Sequence, residues 1–175
     1  RAILGDTPYP VSLLTQTELR IHAEHSVSRG KAAILKAWLL KNGSNPQYKE
    51  VIDVQLNEQT NYAPYVLGRL FAVLESLQQK ANPGINATIM DRYFNAACAT
   101  PSIVFPTLLK LAQSHLKKLD TGYFIYYDKQ MTELCGRLTD SYPARLNLQD
   151  QGIFQLGYYH QKQKFFTKKE ENSNV

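Results

Sequence analysis

A chain of 175 residues, 43% hydrophobic and 11% aromatic, is long enough to bury roughly two thirds of the surface of its unfolded form in one domain. That composition excludes a disordered tail as a description of the whole. Lys and Arg number 20 against 15 Asp and Glu, a balance that favours contact with a polyanion. Two cysteines, Cys98 and Cys135, are too few and too far apart for a disulfide framework or a zinc cluster and read as buried, reduced thiols of a cytoplasmic protein.

The apolar residues recur at spacings of three and four, which predicts an all-α, compact helical bundle of about six or seven helices. It forms one domain over residues 1–167, with residues 168–175 as a frayed tail. The first helix runs from Pro10 to Ser26 and the second from Arg29 to Lys41, with Ser28 capping the second and Gly43 ending it. Residues 44–59 form a polar connection whose Val51-Ile52-Asp53-Val54 patch adds a short strand or packs on the bundle. Asn61 caps a third helix, Tyr62 to Lys80, apolar almost all round and therefore central. Asn82-Pro83-Gly84 turns the chain. A fourth helix, Thr88 to Cys98, leads to Thr100-Pro101, where Thr caps and Pro takes the first helical position.

The fifth helix runs from there to about Leu119. Its apolar face is Val104, Leu108, Leu111, Ala112, His115 and Leu119, and its opposite face is Lys110, Gln113, Ser114 and Lys117. A sixth helix, Gly122 to Thr139, and a last one, Asp150 to Phe166, complete the bundle. Gly68 and Gly157, each costing its helix about 1 kcal/mol relative to Ala, mark close helix crossings. No apolar run reaches the length of a membrane span, and the start lacks the blocks of a signal peptide. Asn42-Gly43-Ser44 and Asn86-Ala87-Thr88 are chance matches to the glycosylation sequon. Beginning at Arg1, the chain reads as a trimmed product or a piece of something longer.

Charge is distributed unevenly. The windows His25–Lys49 (Arg29, Lys31, Lys36, Lys41, Lys49), Arg92–Leu119 (Arg92, Lys110, Lys117, Lys118) and Gln151–Lys169 (Lys162, Lys164, Lys168, Lys169) contain no carboxylate. Interleaved signs would cancel within a Debye length, whereas these windows keep their field. Catalytic signatures are weak. Glu18, His22 and His25 share a helical face at metal-ligand spacing, yet a solvated polar face is the stronger reading and no metal or other cofactor is expected. Asp91 beside Arg92 reads as a structural ion pair. A nucleophile elbow and a glycine-rich phosphate loop are both missing, so no enzyme activity is expected. Tyr123, Phe124, Tyr126 and Tyr127, with Tyr158 and Tyr159, read mainly as core; Phe165 and Phe166, among lysines, are the better candidates for stacking on bases. Arg69, in an apolar helix, must reach a partner, an intrachain carboxylate by default.

The stretch Tyr65-Val66-Leu67-Gly68-Arg69-Leu70-Phe71-Ala72-Val73-Leu74-Glu75, with Asn82-Pro83-Gly84-Ile85-Asn86-Ala87-Thr88-Ile89 and Asp91-Arg92-Tyr93-Phe94, resembles the C-terminal region of the large subunit of type I-C CRISPR surveillance (Cascade) complexes. Further matching stretches are Ala99-Thr100-Pro101, Lys110-Leu111-Ala112-Gln113, Asp150-Gln151-Gly152-Ile153-Phe154 and Leu156-Gly157-Tyr158-Tyr159-His160-Gln161. In that family the same segment is also made separately as the small subunit. The resemblance implies a prokaryotic, cytoplasmic, non-catalytic helical bundle in two or more copies. Its implied partners are the Cascade backbone subunits, the large subunit, the guide RNA complex, and the target and displaced DNA strands of an R-loop, in antiviral defence and away from membranes. A subunit without sequence preference needs spaced cations and no base-reading fork. The candidate DNA-binding residues are Arg29, Lys31, Lys36, Lys110, Lys117 and Lys118, then Arg92, Lys162 and Lys164. The rival reading is a purely structural protein–protein spacer whose lysines are ordinary solvated surface.

Overall fold

In the computed structural model, the described residues are Leu35, Leu39, 56–138 and 141–173. They form five helices and no strand: α1 (Ala63–Ala81), α2 (Ile89–Ala99), α3 (Pro101–Leu116), α4 (Thr121–Gly136) and α5 (Leu148–Ser173). Leu35 and Leu39 are helical and buried, one turn apart, as the face of a helix over residues 29–41 requires. The rest of the two helices expected before residue 42, and the patch at 51–54, lie outside the described residues.

Each helix start has a local cause, and the capping of two differs from expectation. Asn61 is exposed and caps nothing; Tyr62 is the N-cap of α1, without a side-chain cap bond, and Pro64 fixes the first turn. Thr88 and Asp91 form a reciprocal capping box for α2. The Asp91 carboxylate accepts from Thr88 N (2.7 Å) and Oγ1 (2.9 Å), so it serves the helix end and forms no ion pair with Arg92. Thr100 precedes Pro101 as expected, but its hydroxyl donates back to Ala96 O (3.1 Å) and leaves the α3 cap unmade. Pro143 O accepts from Ser102 N instead (3.1 Å). Asp120 caps α4 through Tyr123 N (3.0 Å), and Asn147 caps α5 through Asp150 N (2.8 Å). Between α1 and α2, Ile85 N closes a turn on Asn82 O (3.3 Å), with Pro83 and Gly84 in the middle and Gly84 at φ +83°. Positive φ at the third turn position is what glycine supplies cheaply. The last helix continues to Ser173, past the expected stop at Phe166 and through most of the stretch read as a frayed end.

α1 is the hub, buried continuously from Pro64 to Glu75, because apolar side chains circle it and α2, α3, α4 and α5 all pack on it. Its closest neighbour is α5. A Cβ on Gly68 would overlap Phe154 O and lie 2.8 Å from Phe154 C and 2.9 Å from Tyr158 N. A Cβ on Gly157 would overlap Tyr65 O and lie 3.0 Å from Tyr65 C. The two glycines therefore let backbone meet backbone from both sides of one crossing. Beside it, Phe71, Phe94, Phe154 and Tyr158 interlock edge to face, with centroids 5.2–6.1 Å apart. Cys98 is buried, its thiol donating to Gln151 O at 3.5 Å, and Cys135 is half-buried. No described helix is long and apolar enough to cross a membrane.

Candidate nucleic-acid interface

α3 docks through Val104, Phe105, Leu108, Ala112 and Leu116, all buried. That row is rotated from the expected one: Leu111 is 37% exposed and His115 half-buried, while Phe105 and Leu116 take the core positions. The opposite face puts Lys110, Gln113, Ser114 and Lys117 into solvent. Lys118 follows the helix and Arg92 sits on α2, both exposed. Among the described residues none of these four cations forms an ion pair; Lys118 Nζ donates to the Asn82 side chain (2.7 Å). The other side of Asn82 meets His115 Nδ1 (3.1 Å), so Asn82 orients both. Partial burial, then the nearby Lys118 charge, lowers the His115 pKa.

The third window is not unopposed. Lys162 Nζ pairs with Glu75 Oε2 at 3.1 Å, largely buried, and the same oxygen accepts from Tyr158 OH at 2.7 Å. Lys164 pairs with Glu58. Acid-free sequence is therefore not acid-free space: the α1–α5 crossing brings Glu75 to a lysine 87 residues away. Phe165 packs on the core and Phe166 is half-buried, so the lysine-flanked pair is no open stacking surface. Tyr127, Tyr158 and Tyr159 are buried, as the core reading expects. The open rings are on α4, where Tyr123, Phe124 and Tyr126 are about two fifths exposed and Ile125 is 58% exposed.

Arg69 is 3% exposed. Its partners are neutral, Gln161 Oε1 on Nε (3.1 Å) and Asn57 O on Nη1 (3.3 Å), so the expected carboxylate partner is absent among the described residues. Burial lowers the Arg69 pKa, with partial compensation from Tyr65 and Glu58. One turn earlier, Tyr65 OH bonds His160 Nδ1 (2.7 Å), and burial pushes the phenol up to about 12. Sequence reading singles out Arg69 but misses Glu75, which carries the same signal of a charge inside an apolar helix. Arg29, Lys31 and Lys36, and the Glu18–His22–His25 face, lie outside the described residues. Among the described residues no three His, Cys, Asp or Glu side chains converge to hold a metal ion.

The α3 surface can attract a phosphate backbone through charge alone, since it offers lysines without a rigid donor fork. No curated protein matches the chain. A family model described as CRISPR-associated protein (Cas_Csd1) matches residues 1–166, nearly the whole length, and the chain therefore belongs to the Csd1 family of CRISPR-associated proteins.

Proposed function

We propose that the chain is the C-terminal part of a type I-C Cascade large subunit, or its separately produced small-subunit equivalent. In this reading it performs no chemistry, bridges protein subunits and retains the opened DNA of the R-loop without reading its sequence. Membership of a CRISPR-associated family supports the setting. The observation that carries the DNA contact is the α3 ridge: Lys110 and Lys117, exposed and without ion pairs among the described residues, continued by Lys118 and flanked by Arg92. Seven helical residues separate Lys110 from Lys117, about 10 Å along one side of α3, a spacing that can follow a strand backbone. Lys162 and Lys164 carry less of the proposal than sequence gave them, because both are already paired.

The test is DNA retention by the assembled complex as a function of salt. Replacing Lys110, Lys117 and Lys118 together by Ala removes up to about three phosphate contacts. The slope of log affinity against log salt then flattens by roughly 0.7 to 0.9 per contact, with the fold unchanged. An unchanged slope and retention remove this face from the site. A spacer role gains from Ile103, 71% exposed on the same stripe as Lys110. Loss of subunit assembly in Ile103→Asp, with DNA retention indifferent to the lysines, would establish that role instead.

A further inference from the structure

A second surface combines cations and open rings more closely than α3 does. Between α1, α4 and α5 lies a half-open cleft of about 270 Å³ lined by Arg69, Tyr126, Lys129, Gln130, Glu133 and Lys164, among others. Arg69 reaches it from the interior, held by two neutral acceptors, and its Nη2 makes no hydrogen bond among the described residues. Lys129 is exposed and unpaired among the described residues. Glu133 is the carboxylate of the wall, and Arg137 Nη2 holds it at 3.4 Å; Lys164 is held by Glu58. Counting these partners, four cations face two carboxylates. A guanidinium fixed in a partly desolvated wall attracts an anion with less screening than a surface lysine does.

The cleft also has a flat apolar side. Tyr126 is 38% exposed, and its ring is braced edge-on by Tyr127 (centroids 5.1 Å), whose hydroxyl is tied to Ser76 Oγ (2.9 Å). One turn earlier on the same face Tyr123 is open, with Lys80 Nζ 3.8 Å from its ring centre. Two open tyrosines stand about 5 Å apart along a helix, one with Lys80 over its ring and the other lining the same cleft as Arg69 and Lys129, a spacing that suits the base-and-phosphate repeat of a single strand. An acidic peptide would use the cations and leave the rings idle.

We propose that this cleft binds one nucleotide of single-stranded DNA, its phosphate against Arg69 and Lys129 and its base stacked on Tyr126. The proposal rests on the strand-holding role above but uses a different face, so the two can fail separately. The experiment measures anisotropy of a labelled thymidine dodecamer, and of the same oligonucleotide made wholly abasic, with the full chain across a range of salt. Tyr126→Ala, on an exposed site, raises the Kd for the thymidine strand by about 5- to 150-fold, the worth of one stacked base. It leaves the abasic strand unaffected. Lys129→Ala weakens both strands and flattens the salt slope by roughly 0.7. Arg69→Lys, whose folding is checked by circular dichroism, weakens both strands.

Failure of the wild-type chain to bind the strand overturns the proposal, as does binding that ignores Tyr126 and Lys129. If the α3 triple substitution alone abolishes binding, the cleft falls and the α3 ridge stands. If the cleft variants alone weaken it, the ridge falls and the cleft stands. Tighter binding of a polyglutamate peptide than of the thymidine strand, with the same sensitivity to Lys129→Ala, would reassign the cleft to an acidic protein neighbour and overturn the nucleotide reading.

Discussion

Gly68→Ala puts one carbon into the tightest place in the molecule. The new Cβ would lie 2.8 Å from Phe154 C and 2.9 Å from Tyr158 N, where ordinary contact begins at 3.4 Å, and it would overlap Phe154 O outright. These are backbone atoms in the middle of α5, so no side chain can rotate away, and relieving the overlap with Phe154 O parts the two helices by more than 1 Å. A gap of that size forfeits about half of the dispersion energy across the crossing, and overpacking of this kind costs about 3 kcal/mol, the upper end of the usual range. Alanine returns about 1 kcal/mol through helix propensity. The net expectation is a loss of about 2 kcal/mol, which lowers Tm by roughly 4–8 °C in a chain of this size.

Urea unfolding followed by far-ultraviolet circular dichroism measures it. Gly136→Ala is the internal control: a Cβ there meets nothing within 4 Å, so it gains up to about 1 kcal/mol. Gly157→Ala, against Tyr65 O and Tyr65 C, behaves as Gly68→Ala does. Because the separation forced by one substitution makes room for the other, the double variant loses less than the sum, by about 1 kcal/mol. Gly68→Ala at or above wild-type stability would refute the backbone-to-backbone crossing.

Two further perturbations probe the buried charges. Lys162→Met leaves Glu75 facing Tyr158 with its negative charge uncompensated and costs about 3 kcal/mol, whereas the Glu75→Gln, Lys162→Met pair costs less than Lys162→Met alone; urea midpoints give both. Burial disfavours the charged form of His115, whose Nδ1 faces the Asn82 side chain and whose buried Nε2 has no partner among the described residues. Its folded pKa lies below the ordinary 6.5, so the unfolded chain takes up the proton first. The His115 contribution to stability is complete above pH 6.5 and is lost as pH falls from there through the folded pKa. His115→Gln flattens that part of the stability–pH profile, and an unchanged slope would rule His115 out as its source.

The helices themselves are local matters, and the sequence alone determines most of them. The 3.6-residue recurrence of apolar residues, Pro101, the Thr88–Asp91 box and the Asn82-Pro83-Gly84 turn act within a few residues of where they stand. Gly68 and Gly157 even disclose a close crossing, because a costly residue in a helix interior needs a reason. What sequence cannot carry is which side chains from distant helices meet. Lys162 and Lys164 stand in an acid-free stretch yet are neutralised by Glu75 and Glu58, and Arg69 finds an amide and a carbonyl where a carboxylate is the default. The aromatic runs look alike as strings, but packing buries Tyr158 and Tyr159 and leaves Tyr123 and Tyr126 open. Helix periodicity is written along the chain over one or two turns, whereas charge compensation and exposure are set by neighbours tens of residues away, which exist only once α1 and α5 have crossed.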